Sequence, residues 1–156
     1  MTIAAALPVG VLAALGLTAT WTDVTARRIP NRLTAATLLA GLAFTFHQAG
    51  PWSTGSHALH GLAALVVGMA LFAVGAIGGG DAKFYAAVAT WFAPGQAWLL
   101  FVLVSGWGLF VLIVWFVVRR VRGQPIRRQG GGVEGVPYGV AIAAGGITLA
   151  SLGIGI

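Results

Sequence analysis

The sequence predicts an all-α membrane protein, a bundle of six transmembrane helices, and three observations indicate this fold class. Of the 156 residues, 58% are hydrophobic and only 8% are charged, whereas a soluble domain carries about 25% charged residues. The 24 glycines favour close helix contacts in lipid. Nine Lys and Arg residues against three acids give a net charge of +6, and this charge lies in short segments between apolar stretches. We therefore predict a single integral membrane domain over residues 1–156.

Six apolar segments are the predicted spans. A helix needs about 20 apolar residues to cross the hydrocarbon core of about 30 Å. Four segments meet this length: 3–21, 58–77, 97–118 and 136–156. The segments 33–47 and 82–93 are shorter, so re-entrant insertion competes with a full crossing. Six crossings place all nine basic residues on one side, whereas a re-entrant 82–93 separates Lys83 from the arginines that follow the fifth span. The prediction is therefore six spans with both termini outside.

The basic segments predict orientation and partners. Lys and Arg in short loops mark the cytoplasmic side, so the chain is expected in the cytoplasmic (inner) membrane. Arginines beside a span contact anionic lipid headgroups, and nucleic-acid binding is not expected. Five tryptophans fall near the predicted span ends, where an interfacial aromatic belt is expected: Trp21, Trp52, Trp91, Trp98 and Trp115.

Cysteine and histidine usage argues against a metal centre. The chain has no Cys, which excludes a disulfide framework and a Cys-ligated zinc site. The three histidines, His47, His57 and His60, fall on the predicted outer side with no carboxylate near them in sequence. A zinc site needs three or four convergent ligands, so no metal and no other cofactor is expected.

The acidic residues are scarce enough to be functional candidates. Asp23 is predicted just past the first span and Asp81 at the start of the fourth, so the topology places both at one membrane face. An ionisable group at this depth is costly unless it is paired or hydrated. Simpler roles compete: Asp23 is spaced for an i,i+4 ion pair with Arg27, and Asp81 suits an N-cap. The third acid, Glu134, has no firm role.

Two neighbouring carboxyl groups also suit aspartic-protease chemistry. One keeps a proton while the other is ionised, and the pair can activate a water without a metal. Gly78 and Gly80 precede Asp81, and glycine lets the backbone unwind and approach an extended peptide. The competing interpretation of the run 78–80 is a Schellman-type stop of the third span.

Three motifs carry a family resemblance. Residues 23–34 are Asp-Val-Thr-Ala-Arg-Arg-Ile-Pro-Asn-Arg-Leu-Thr, residues 78–84 are Gly-Gly-Gly-Asp-Ala-Lys-Phe, and residues 136–145 are Val-Pro-Tyr-Gly-Val-Ala-Ile-Ala-Ala-Gly. In this the sequence resembles the type IV prepilin peptidases, which are GxGD aspartic proteases. That family has an Asp before Arg-Ile-Pro-Asn, a second Asp in Gly-x-Gly-Asp-x-Lys, and Val-Pro-Tyr-Gly at the last span.

The resemblance implies a membrane-embedded aspartic endopeptidase. It would remove the basic leader of type IV prepilins or pseudopilins at the cytoplasmic membrane face, with Asp23 and Asp81 as the catalytic pair. The size and the lack of Cys look like the short, peptidase-only forms of Flp or tight-adherence pili. Long forms carry a Cys-rich segment and also N-methylate the pilin, so an S-adenosylmethionine site is not expected here.

The remaining motif residues have two interpretations each. Pro30 fixes a turn that would aim Asp23 at the bundle, or belongs to a plain loop. Asn31 is favoured as an N-cap over a hydrogen bond to the two acids, and Arg28 as a lipid contact. Lys83 either acts on a carboxylate, that of Asp81 or of the substrate, or sets topology.

The segment that opens the last span contains Pro137 and Tyr138, both counted as supporting residues. Tyr138 lines the substrate groove or belongs to the interfacial belt.

Two other classes of protein compete with the peptidase. An ion-coupled transporter would use Asp23 and Asp81 as proton or cation carriers, but transporter sites favour the bilayer midplane and inverted repeats, and neither is evident. In a structural membrane subunit, both acids would only cap helices, and the three motifs argue against this.

Overall fold

Helices make up nearly all of the computed structural model, which describes residues 3–123, 128–129, 132–133 and 136–153. The α-helices in these ranges are α1 (Ile3–Ala26), α2 (Asn31–Ala73), α3 (Gly79–Ala89), α4 (Ala97–Val121) and α5 (Tyr138–Ser151). A 3₁₀-helix, η1 (Pro94–Gln96), precedes α4. Strands β1 (Arg128–Gln129) and β2 (Gly132–Val133) form a two-residue antiparallel pair, with Arg128 opposite Val133. The predicted all-helical architecture is confirmed.

Three helical segments in the described ranges are long and apolar enough to cross a membrane. They are Ala6–Ala26 within α1, the whole of α2, and Pro94–Val121, which joins η1 and α4. Helix α5 is apolar but shorter. Long apolar helices of this kind indicate a membrane protein.

Helix α2 is a hairpin of two antiparallel arms. Gly50 adopts φ 75° and ψ −174°, a conformation outside the helical region that suits glycine, and Pro51 follows it. The Thr45 hydroxyl lies 3.2 Å from His57 Nδ1, whereas 12 positions of a straight helix span about 18 Å. The arms are therefore residues 31–49 and 51–73. The segment 47–57, predicted as a loop, is helical except for this one-residue turn.

The second arm of α2 ends in a Schellman motif at Gly75. The Ala76 N–H donates to the Leu71 carbonyl and the Gly75 N–H to the Phe72 carbonyl, both at 2.9 Å. Gly75 has φ 75°, as this motif requires. The run 78–80 is therefore not the stop. Gly78 is instead the N-cap of α3, and Gly79 and Gly80 form its first turn.

The two shortest helices form the centre of the bundle. Helix α3 packs against α2 and α5, and α5 packs against α1 and α4. Small residues on α5 permit these contacts: a Cβ added at Gly146 would lie 2.7 Å from Val88 of α3. Helix α4 is peripheral, with Leu100 as its only buried residue. Apolar side chains such as Phe110 and Ile113 are exposed on its outer face, as expected for contact with lipid.

The chain at the C-terminal end of α3, residues Thr90, Trp91 and Phe92, is held tightly by α2; we call this the anchored end. Trp91 is 1% exposed, and its indole N–H donates to the Thr37 carbonyl at 2.9 Å. His57 Nδ1 lies 3.1 Å from the Thr90 carbonyl, and His60 Nδ1 lies 2.8 Å from the Phe92 carbonyl. Because a carbonyl only accepts, each imidazole is assigned a proton on Nδ1.

The anchored end changes the prediction for Trp91 and is close-packed through two glycines. Trp91 is a core residue rather than a member of the interfacial belt, since its ring packs against Phe44 with centroids 5.7 Å apart. Both arms of α2 approach this end through glycine: a Cβ at Gly41 would lie 2.7 Å from Thr90 Oγ1, and one at Gly61 would lie 2.5 Å from Thr90 Cγ2. The anchored end is therefore close-packed on two sides.

Candidate functional site

Asp23 is a buried carboxyl near the end of α1. The predicted span 3–21 placed Asp23 just after the first helix. Helix α1 instead continues to Ala26, so Asp23 lies within it. Its side chain is 8% exposed, and Oδ2 accepts a hydrogen bond from the Gly139 backbone N–H at 2.9 Å. Gly139 is the second residue of α5, so Asp23 satisfies one of the unpaired N–H groups at that helix N-terminus.

The contact between Asp23 and α5 depends on the absence of a side chain at position 139. A Cβ at Gly139 would lie 2.9 Å from Asp23 Oδ2, 3.0 Å from Ile29 Cδ1 and 3.2 Å from Asp23 Cβ. Ile29 is itself buried, at 7% exposure. Ile29 therefore fixes the loop after α1 against the same turn of α5 that binds Asp23.

Asp81 occupies the first turn of α3. Gly78 is the N-cap, so Asp81 is the third helical residue and not the N-cap that one interpretation predicted. A Cβ at Gly78 would lie 2.7 Å from Asp81 Oδ2, so glycine at position 78 leaves room for this carboxyl. We call the end of the bundle that carries Asp23 and Asp81 the acid end.

Burial and a nearby negative charge raise the pKa of Asp81 toward neutral pH. Asp81 precedes the predicted fourth span, and burial, followed by the negative charge of Asp23, raises its pKa from 3.8 to about 6, against an opposing backbone hydrogen bond from Gly78. Two carboxyl groups that interact share their protons as a pair. The structure therefore brings the two acids close enough to interact electrostatically.

Asp81 and Tyr138 line one cavity of about 570 Å³. Its walls come from the second arm of α2 and from α4, and its floor from α3 and α5, including Tyr85 and Ala141. Tyr138 is 37% exposed and follows Pro137, the N-cap of α5. Tyr138 was predicted either to line a groove or to belong to the interfacial belt. In the structure it lines this cavity.

Lys83 and Asn31 lie elsewhere. Both border a second cavity, about 480 Å³, between the two arms of α2, and both are exposed. The N-cap of α2 is Pro30, with ψ 137°, so Asn31 is the first helical residue and the predicted Asn31 cap is wrong. The structure therefore separates these two residues from the cavity that Asp81 lines.

The other predicted residues have simpler surroundings. Arg28 is exposed in the loop between α1 and α2. A Cβ at Gly80 would meet nothing within 4 Å, so no close contact requires glycine there. Glu134, the third acid, lies outside the described residues.

Ile29 and Gly139 were not singled out from the sequence, although each lies inside a quoted motif. The only sequence feature that could have indicated them is their position next to motif residues. Ile29 precedes Pro30, and Gly139 follows Tyr138 in the opening turn of an apolar segment. Their role depends on a contact across 110 positions of the chain, which spacing alone does not reveal.

Fold and site together define a class: a membrane protein of packed helices with two interacting carboxyl groups. Asp23 of α1 bonds to the N-terminal turn of α5, and Asp81 lies in the N-terminal turn of α3 beside an apolar cavity. Comparison with protein families gives the particular one. The chain belongs to the type IV leader peptidase family, whose model matches residues 10–118. This segment contains both aspartates but ends before the 136–145 motif. Comparisons with curated proteins and with solved structures gave no match.

Proposed function

We propose that this peptidase is an aspartic endopeptidase that removes the basic leader of type IV prepilins or pseudopilins, with Asp23 and Asp81 as its catalytic pair. The observation that carries the proposal is the pair itself. The two family motifs that contain Asp are 58 positions apart, yet the charge of Asp23 acts on Asp81. Short, peptidase-only forms linked to Flp or tight-adherence pili fit the sequence best.

The two acids have different surroundings, which suggests different roles. The Gly139 N–H and the N-terminus of α5 favour negative charge on Asp23 against the cost of its burial, and we assign Asp23 as the base that takes a proton from water. Asp81, with its pKa of about 6, is the acid that donates a hydrogen bond to the scissile carbonyl oxygen.

The hydrolysis then proceeds through a tetrahedral intermediate. The hydroxyl of the activated water bonds to the carbonyl carbon, and the carbonyl oxygen takes the proton of Asp81. Collapse breaks the C–N bond; the departing amine takes the proton that Asp23 accepted, and a hydroxyl of the intermediate returns its proton to Asp81. Water is consumed and both acids recover their starting states.

We further propose six crossings with both termini outside and the acid end at the cytoplasmic face. The two arms of α2 supply the second and third crossings, and residues 82–93 supply the fourth. All basic residues then lie on one side, where a basic leader of the substrate would also remain. Arg28 and the arginines after α4 would contact anionic headgroups, and the inner membrane is the expected location.

The test uses the full chain in proteoliposomes with a matching prepilin. Asp23→Asn and Asp81→Asn should each lower cleavage at least 1,000-fold, since each removes one half of the acid-base pair. Gly10→Ala is the control, because a Cβ at Gly10 meets nothing within 4 Å. Cleavage at the wild-type rate by either Asn variant would refute the pair. Proton uptake that needs both acids, without prepilin cleavage, would favour a transporter.

A further inference from the structure

An open groove runs along the bundle from the acid end toward the anchored end. It is the cavity that Asp81 and Tyr138 line. Helices α2 and α4 form its two walls, and in the part of the chain that the structure describes they are not a major packing pair, because α2 packs on α3 and α4 packs on α5. The groove between them is thus not closed by direct packing of its walls.

Each wall is one continuous helical stripe. On α2 the lining residues are His60, Ala63, Ala64, Val67, Gly68 and Leu71. On α4 they are Ala97, Phe101, Val104, Ser105, Gly108, Leu109 and Leu112. Both stripes follow the i, i+3, i+4, i+7 spacing that places side chains on one helix face. The α2 stripe is about 17 Å long and the α4 stripe about 22 Å. Two facing stripes of these lengths match one further helix of about three turns.

The small residues in the groove permit a close helix approach. Gly108 and Ser105 stand on the α4 wall, and Ala82 and Ala141 on the floor. A stripe of small residues does not by itself define a ligand, since it also packs helices within one chain. Here the stripe also lines the cavity, and a Cβ at Gly108 would make only an ordinary contact, at 3.8 Å, with Ala141.

The polarity along the groove identifies the occupant. Its lining is almost wholly apolar, and its ionisable carboxyl, Asp81, stands at one end, with His60 bonded to the anchored end at the other. A ligand that fits must be apolar over about three helical turns and must present its reactive bond at the Asp81 end.

We propose that this groove binds the apolar helix of the prepilin that follows the scissile bond, so that the substrate helix packs between the second arm of α2 and α4. The inference rests on the proposed function, and it adds where the membrane-embedded part of the substrate docks. The helix enters sideways from the lipid and its first peptide bonds unwind at Asp81.

Two glycines of α4 give a matched pair for the test. Gly108 lines the groove, whereas Gly106 lies outside its lining, and a Cβ at Gly106 meets nothing within 4 Å. Gly108→Trp should lower cleavage of the full prepilin at least tenfold. The same variant should cleave a soluble peptide, the leader with only a few residues after the scissile bond, within twofold of wild type. Gly106→Trp should change neither rate more than twofold.

Crosslinking adds a readout of register. The chain has no Cys, so Leu109→Cys introduces a unique thiol in the groove, and Ile113→Cys introduces one outside it; the two side chains are 60% and 53% exposed. Leu109→Cys should form a disulfide with a prepilin that carries one cysteine in its apolar segment, and Ile113→Cys should not. Leu112→Cys should select a substrate position about 11 residues nearer the scissile bond than Phe101→Cys does.

The outcomes separate the two proposals. If Asp81→Asn still cleaves, the proposed function fails whatever the groove does. If Asp81→Asn is inactive but Gly108→Trp cleaves the full prepilin normally, the groove proposal fails alone. Equal loss of prepilin and peptide cleavage in Gly108→Trp would also overturn it, because the defect would then lie at the acids. A disulfide between two Leu109→Cys chains without substrate would assign the groove to a second copy.

Discussion

The two ends of α3 differ in how they are held. At the anchored end, Trp91 and the carbonyls of Thr90 and Phe92 bond to α2, and glycines of both α2 arms touch Thr90. At the acid end, Asp81 borders an open cavity, and Asp23 of α1 bonds to the first turn of α5. The comparison teaches that the two ends of α3 carry different groups: one end carries side-chain hydrogen bonds to α2, and the other carries the carboxyl beside the cavity.

The largest expected effect breaks the anchored end. Trp91→Ala removes a buried ring and its bond to the Thr37 carbonyl, and the cavity and lost contacts should cost about 3 to 5 kcal/mol of unfolding free energy. Thermal unfolding in detergent measures this cost. Trp98→Ala, at a site 67% exposed, should change stability little.

If Trp91→Ala does not fold, Trp91→Phe keeps a ring and loses the hydrogen bond, with an expected cost of about 1 kcal/mol or more. In either variant the cleavage rate per folded molecule should stay near wild type. A loss of cleavage larger than the loss of folded protein would show that the two ends are not separate.

The next effect breaks the acid end without disturbing the anchored end. Gly139→Ala places a Cβ 2.9 Å from Asp23 Oδ2, and the short Asp23 side chain must move and give up the Gly139 N–H. Cleavage should fall about 100-fold, which corresponds to about 2.7 kcal/mol of transition-state stabilisation, while the melting temperature changes by only a few degrees. Gly10→Ala on α1 is the control. Unchanged cleavage in Gly139→Ala would argue against a role for the Asp23 to α5 contact.

The smallest effect sharpens the comparison through pH. Because the folded-state pKa of Asp81 is raised from 3.8 to about 6, the ionised carboxyl disfavours the fold, and wild-type stability should fall as pH rises from about 4 through about 6. Asp81→Asn lacks this carboxyl. It should be more stable than wild type above pH 6 by about 1 to 2 kcal/mol, allowing for solvent screening.

The stability difference between Asp81→Asn and wild type should disappear below about pH 4, where the side chain at position 81 is uncharged in both proteins. Melting temperatures measured in detergent across this pH range test the prediction. A difference that does not vary with pH would contradict a raised pKa at Asp81.

The sequence predicted the acid end better than the anchored end, for a physical reason. Charge is scarce in an apolar chain, so Asp23 and Asp81 stand out, and their motifs identify the family. The anchored end is made of Trp91, two histidines and backbone carbonyls, whose bonds cross 32 to 54 positions. Nothing in the local pattern distinguishes such a buried Trp from one at the membrane interface.

The boundaries of the helices differ from those of the predicted segments. Residues 47–57 contain polar side chains and Pro51 and therefore suggest a loop. The turn needs only Gly50, because proline is tolerated at the first position of a helix. Likewise α3 begins at Gly79 rather than at residue 82, since Gly78 caps it. Polar composition predicted where the chain leaves the apolar region, and capping geometry determined where each helix ends.

The hydrogen bonds between Thr90 and α2 make Thr90 the pivot for a tilt of α3. Asp81 stands nine positions from Thr90, about 13.5 Å along the helix axis. A tilt of about 10° with Thr90 as the pivot would carry the Asp81 backbone through about 2.4 Å, close to the difference between a broken and a formed hydrogen bond. A tilt of this size would therefore engage or disengage a carboxyl at the far end of the same helix.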